Sequence, residues 1–203
     1  MSTITRPTVI PTLPGRAPYR LSVAKYEAMV ASGAFTKHDR LELIEGMLVE
    51  KMTKGRKHSA GSEKSWRAID PRVPAGWHVR IEKPVRIPAR DSMPEPDVSV
   101  ARGAPDDYLD LDPGPEDVAL VVEVSDTTLA ADRAMALTYG GGGIPVYWIV
   151  NMKDRQLEVY ANPVGGAYPA PTILGESASV ELVLGGRVVG RIAVADLLPR
   201  PPR

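Results

Sequence analysis

Two carboxylates occupy places where an apolar side chain would be simpler. Glu123 lies within VALVVEVSD (118–126), an almost unbroken apolar run of the kind that forms a fully buried strand. Burying an unpaired carboxylate costs several kcal/mol, so a partner is required: a cation, a protonating environment or a metal ion. Asp97 stands 26 residues earlier, directly after a proline, at the start of the short strand candidate DVSVA (97–101). If the two strands pair, both carboxylates converge at one sheet edge, where the Val124 carbonyl can add a third hard oxygen. Such a donor set, completed by water, suits Mg²⁺ (or Mn²⁺). Taken singly, each acid has a simpler explanation. Glu123 could pair with Arg86 or Arg133 in a structural network, and Asp97 could be ordinary turn chemistry after proline.

Composition narrows the chemistry further. The chain has 203 residues, no cysteine and three histidines, which excludes thiol catalysis, disulfides and Cys-built zinc sites. His38, His58 and His78 have no metalloprotease-like spacing, and the GGGG run (140–143) has no Lys-Ser/Thr after it, so it is not a phosphate-binding P-loop. Formal net charge is zero, yet residues 1–90 hold 17 Lys/Arg against 8 Asp/Glu and residues 91–203 hold 8 against 17. Either a basic binding surface faces an acidic cation site, or the halves neutralise one another across a shared core. KMTKGRKH (51–58) is the densest basic segment, and Lys54, Arg56 and Lys57 are its candidate phosphate contacts.

The elements that must position these residues follow from periodicity. SVAKYEAMVASG (22–33) predicts an amphipathic helix capped by Ser22 and ended by Gly33. LELIEGMLVEKM (41–52) predicts a hairpin turning at Glu45-Gly46, with Glu42 on its first strand. Residues 57–69 predict a weak helix, because Trp66 and Ile69 are nearly its only large apolar residues. WHVRIEKPVRI (77–87) predicts a strand, with Pro84 marking an edge or a bulge. A polar, acidic loop (103–117) leads into the strand of Glu123. A helix over 127–139, strands over 144–150 and 155–161, a loop-like Pro/Gly/Ala-rich segment (163–175), β runs at 178–184 and 187–190 and a helical turn at 193–198 follow. The order predicts one α/β (α+β) domain, a central mixed β-sheet flanked by helices, over 21–198, between an extended Pro-rich arm (1–20) and a short tail (199–203). The arm has Thr and Pro where a signal peptide would be apolar, and no apolar run is long enough to span a membrane, so the expected compartment is the cytoplasm.

PEPDVSV (94–100), VVEVSD (121–126), an Asp132-Arg133 helix, Tyr139 and GIPVYWIV (143–150), with LELIEG (41–46) and EKPVRI (82–87) before them, resemble the Uma-two family of restriction endonucleases, in the PD-(D/E)xK superfamily. The resemblance spans roughly residues 20–161. It implies a restriction-endonuclease-like fold and an endonuclease hydrolysing DNA phosphodiester bonds with Mg²⁺. It makes Asp97 and Glu123 the metal ligands and Glu42 an additional acidic residue, and by analogy it implies a homodimer. The superfamily lysine two residues after the glutamate is Ser125 here, and DRAMALTY (132–139), where the named family carries it, has no lysine. Two readings stay open. Another cation, for example Lys83 or Lys51, reaches the site, or this copy is a catalytically impaired nuclease fold serving as a nucleic-acid-binding or assembly module.

Overall fold

The computed structural model describes residues 15–36 and 38–200. Most of the expected arm and the last three residues of the tail lie outside that range; residues 16–20 are exposed and carry no regular element. Helix α1 (Val23–Ala31) starts where expected, with the Ser22 hydroxyl accepting the Lys25 N–H at 3.3 Å, and it buries Val23 and Tyr26. Strands β1 (Leu41–Ile44) and β2 (Met47–Glu50) form the predicted hairpin. Both turn residues have positive φ, 48° at Glu45 and 75° at Gly46. That is the twist a two-residue hairpin turn requires. Leu43 and Met93 join α1 in a small satellite core.

Helix α2 (Arg56–Ile69) is a full four turns despite its few large apolar residues. Its buried face is Gly61, Ser62, Ser65 and Ala68, ending in Ile69. A Cβ at position 61 would lie 2.6 Å from Val124 Cγ1, so the helix sits against the sheet at a distance only small residues allow.

Six strands build the central sheet, in the order β3 (Trp77–Ile81), β4 (Val98–Arg102), β5 (Val118–Ser125), β6 (Val146–Asn151), β7 (Gln156–Ala161) and β8 (Thr172–Gly175). Only β5 and β6 run parallel; every other pair is antiparallel. The parallel step needs a crossover, supplied by α3 (Leu129–Gly142). The alternation of β5 divides the core. Leu120, Val122 and Val124 pack with α2, the hairpin β9 (Ser179–Leu184) and β10 (Arg187–Ala193), and α4 (Val194–Leu197). Val121 packs on the other face with Tyr139 of α3 and with Tyr147 and Ile149 of β6. Glu123 shares the parity of Val121 and so belongs to the α3 face. Each fully buried Val or Leu of β5 stabilises the fold by about 1.5–3 kcal/mol.

Three segments differ from expectation for physical reasons. The strand over 77–87 ends at Ile81, because Glu82 turns left-handed at φ 50°; Val85 and Ile87 are buried beyond the turn as part of the α3-side core. The Pro/Gly/Ala-rich segment contributes the edge strand β8, whose ladder to β7 needs only backbone groups. Helix α3 runs through Gly140, Gly141 and Gly142 and is capped by Gly143 at φ 87°. These glycines are contact surface: a Cβ at 142 would collide with Ile87 Cγ2, one at 141 would displace the flexible Arg90 side chain, and one at 140 would crowd the Tyr168 ring at 3.0 Å. Among the described residues no helix is long and apolar enough to cross a membrane.

Gly142→Ala is expected to lower the melting temperature. Overpacking fully buried, β-branched Ile87 costs about 1–3 kcal/mol, against a helix-propensity gain of at most about 1 kcal/mol. A thermal melt that shows no loss would mean that the 87–90 turn is free to retreat.

Candidate active site

The antiparallel register of β4 and β5 pairs Val98 with Val122, which sets Asp97 opposite Glu123. Each carboxylate then grips the other's strand. The Val124 N–H donates to Asp97 Oδ2 at 2.7 Å, and the Asp97 N–H donates to Glu123 Oε2 at 3.3 Å. The remaining Glu123 oxygen, Oε1, accepts the Tyr139 hydroxyl from α3 at 2.9 Å. Among the described residues no guanidinium clamps the pair. Arg86, one of the structural partners considered for Glu123, is bound to Glu27 at 2.6 Å, and Arg133, the other, to Glu158 at 2.7 Å.

Asp97 is 1 % exposed and its outer oxygen, Oδ1, is held by two donors. Lys54 Nζ reaches it at 2.6 Å and His58 Nε2 at 2.8 Å. The ammonium also donates to Glu82 Oε1 at 2.9 Å. Lys54 and His58 are brought together by α2: the first lies just before its Gly55 cap and the second in its first turn. Arg56 and Lys57, beside them, are exposed. Lys51 is ion-paired with Glu95, and Lys83 is exposed outside the cleft lining.

The pair opens onto a cleft of about 690 Å³, whose walls include Glu42, Lys54, His58, Glu82 and Asp132. Glu42 is half-buried on β1, and its Oε2 accepts the Glu95 N–H at 3.2 Å. Asp132, in the first turn of α3, accepts the Thr128 hydroxyl at 2.7 Å. Electrostatics separate the acids. Burial pushes Glu123 well above the ordinary glutamate range, and the charges of Asp97 and Asp132 push the same way. Burial likewise raises Glu42 and Asp132. Burial acts on Asp97 too, but the His58 hydrogen bond and the Lys54 charge outweigh it and hold Asp97 below its usual value. The basic segment of the first half and the acids of the second thus face each other across this cleft.

The donor set fits a hard divalent ion that keeps part of its water. Asp97, Glu123 and Val124 all line the cleft, whereas no group of three or more His, Asp or Glu stands in ligand geometry among the described residues. Mg²⁺ sites with one or two carboxylates, completed by water and substrate phosphate, have this form. Asp97 Oδ1 would have to exchange its present donors for the ion.

The fold is shared with a solved protein described as a "putative nuclease belonging to DUF820" from Anabaena variabilis ATCC 29413. The TM-score is 0.63 at 16 % sequence identity, over 87 % of this chain and 97 % of that one. The likeness is one of fold, a mixed α/β sheet flanked by helices. Residues 23–195 match the Uma2 family, described as "Putative restriction endonuclease", and the chain belongs to that family. A search of curated proteins gives no significant match.

Sequence reasoning brought Asp97, Glu123 and Glu42 to one cleft but did not anticipate the roles of His58, Tyr139 and Asp132, nor that Lys54 faces inward. The four-residue spacing of Lys54 and His58 is a signal for a shared helical face, muted because Lys54 precedes the helix.

Glu123→Gln should raise the melting temperature in chelator-treated protein at about pH 8. A folded-state pKa above the ordinary 4.5 means the folded form retains a proton that the unfolded chain has lost, so Glu123 costs stability progressively as pH rises above that value. The glutamine amide can donate to the Tyr139 hydroxyl while its carbonyl accepts the Asp97 N–H. The gain should vanish near pH 4.5, and melts across pH check it; a drop in melting temperature would mean the carboxylate itself holds the strands.

Proposed function

We propose that this chain is a divalent-metal-dependent endonuclease that hydrolyses DNA phosphodiester bonds. The observation that carries the reading is the adjacency of Asp97 and Glu123, facing a cleft with no guanidinium on either among the described residues, in a chain of this family. Asp97, Glu123 and the Val124 carbonyl are the proposed ligands of Mg²⁺ (or Mn²⁺). When bound, the ion would supply Lewis-acid polarisation of a phosphoryl oxygen and a water acidic enough to attack.

The chain's own residues have distinct tasks in this reading. Asp97, held below its usual pKa, is ionised at neutral pH, as a ligand must be. Glu123, raised by burial and by its acid neighbours, is the group whose proton a dication would displace. Its hydrogen bond from Tyr139 fixes the carboxylate plane. Glu42 adds a third acid to the cleft lining, and its charge helps to raise Glu123. Arg56 and Lys57, exposed beside the cleft, are suited to backbone phosphates, and Lys54 would meet the same charge from inside. Family membership supports divalent-metal use, and a nuclease family supports DNA as the polymer. A homodimer would let two such clefts cut both strands.

Supercoiled plasmid with Mg²⁺ or Mn²⁺ tests this directly. The wild-type chain should nick or linearise it, and linear product without nicked intermediate would indicate paired copies. Asp97→Ala and Glu123→Ala should each reduce the rate by roughly 10³-fold, the few kcal/mol a metal ligand supplies. Joint replacement of Arg56 and Lys57 by Ala should weaken DNA binding irrespective of sequence and reduce the salt slope by about 2. DNA binding without any nicking would make the chain a nucleic-acid-binding module instead.

A further inference from the structure

The proposed nuclease lacks a lysine two residues after Glu123: residue 125 is a buried serine, and α3 from Asp132 to Tyr139 has none. A cation is nevertheless in contact with the carboxylate pair, and it comes from another part of the chain. We propose that Lys54 is the site's working cation, and that without metal it occupies the Asp97 oxygen a divalent ion would take, so that ion binding and the Lys54–Asp97 pair exclude each other. This rests on the metal-dependent reading of the same cleft.

The geometry leaves few alternatives. Asp97 Oδ2 is committed to the Val124 N–H, which leaves Oδ1 as the oxygen available to a ligand in the cleft. Lys54 Nζ sits 2.6 Å from Oδ1. A dication bound to the same oxygen at about 2.0–2.1 Å would be a third partner on an atom that already accepts two donors, and its charge would oppose the ammonium's, so ion and Lys54 compete for Oδ1. Lys54 also has somewhere to go. Glu82 Oε1, at 2.9 Å, lies on a half-exposed side chain, and the Glu82 N–H donates to the Asp97 carbonyl at 3.3 Å, so this second seat is tied to the strand that carries Asp97. An ammonium that shifts toward Glu82 stays within the cleft, where it can meet a phosphate oxygen or orient a water. Of the cleft's other cations, Lys51 is paired with Glu95 and Arg40 donates to the Met52 carbonyl, while Arg86 and Arg133 are held by Glu27 and Glu158. His58 shares Oδ1 and continues to donate to it when Lys54 is removed, so a neutral residue at 54 does not leave Asp97 without a partner.

Calorimetric titration of Mn²⁺ into the metal-free full chain, alongside plasmid nicking, separates this from a structural salt bridge. Lys54→Met should bind Mn²⁺ roughly tenfold more tightly, the effect of freeing one charge-assisted hydrogen bond, while nicking falls by about 10²-fold or more. Lys54→Arg keeps the charge and should leave Mn²⁺ affinity within about threefold of wild type. A purely structural lysine would instead lower Mn²⁺ affinity and nicking together in Lys54→Met. That result, or unchanged Mn²⁺ affinity, or nicking at the wild-type rate, overturns the proposal while leaving the nuclease reading intact wherever wild type binds Mn²⁺ and cuts. If neither wild type nor Lys54→Met binds Mn²⁺ at millimolar concentration and wild type does not cut, the nuclease reading falls and takes this inference with it. Should Lys54→Met prove too unstable to titrate, Lys54→Gln, a polar chain of similar length, carries the same expectations.

Discussion

Two carboxylates packed side by side at the end of β4 and β5 set the terms for the elements around them. Charge repulsion and desolvation both oppose the arrangement, and the chain meets each oxygen with a donor: the Val124 and Asp97 amides, the Tyr139 hydroxyl, the Lys54 ammonium and the His58 ring. Those donors come from β4, β5, α3 and the start of α2. The sheet, the crossover helix and the small-faced helix are thus each fixed at one point by the same acid pair. The asymmetry within the pair matters most. Asp97 takes the cations and is held low, while Glu123 takes only neutral donors and is pushed high.

Such a pair stores unfavourable charge interaction that a dication would relieve, which is a common condition at metal-dependent catalytic centres. Family membership and the shared fold give this arrangement a context; the geometry adds what family membership does not, a lysine arriving from before a helix and not from the strand that carries the glutamate. A side chain that travels from a different element can satisfy the same electrostatic need because a point charge on a long, flexible stem demands only reach.

Much of this was legible in the sequence, and the remainder was not for identifiable reasons. The hairpin at Glu45-Gly46 and the strand around Glu123 follow from local pattern, and the meeting of Asp97 with Glu123 follows from pairing two strands. Helix α2 reads as weak because apolar periodicity registers size, whereas its buried face works by lacking it. The glycines closing α3 fall beyond the helix predicted over 127–139, because the neighbours that require them, Ile87, Arg90 and Tyr168, are distant in sequence. The inward turn of Lys54 could not be read at all: a loop lysine looks the same whether it faces solvent or Asp97, and only tertiary placement decides.

The close seat of α2 reaches further than packing. With no Cβ at Gly61, the helix lies as low on β5 as its backbone permits, and His58, one turn upstream, is lowered with it onto Asp97. The missing methyl therefore acts as a spacer of zero thickness, setting the gap between the walls of the cleft from behind Val124. A larger residue there would prise the walls apart although every charged residue of the cleft were retained.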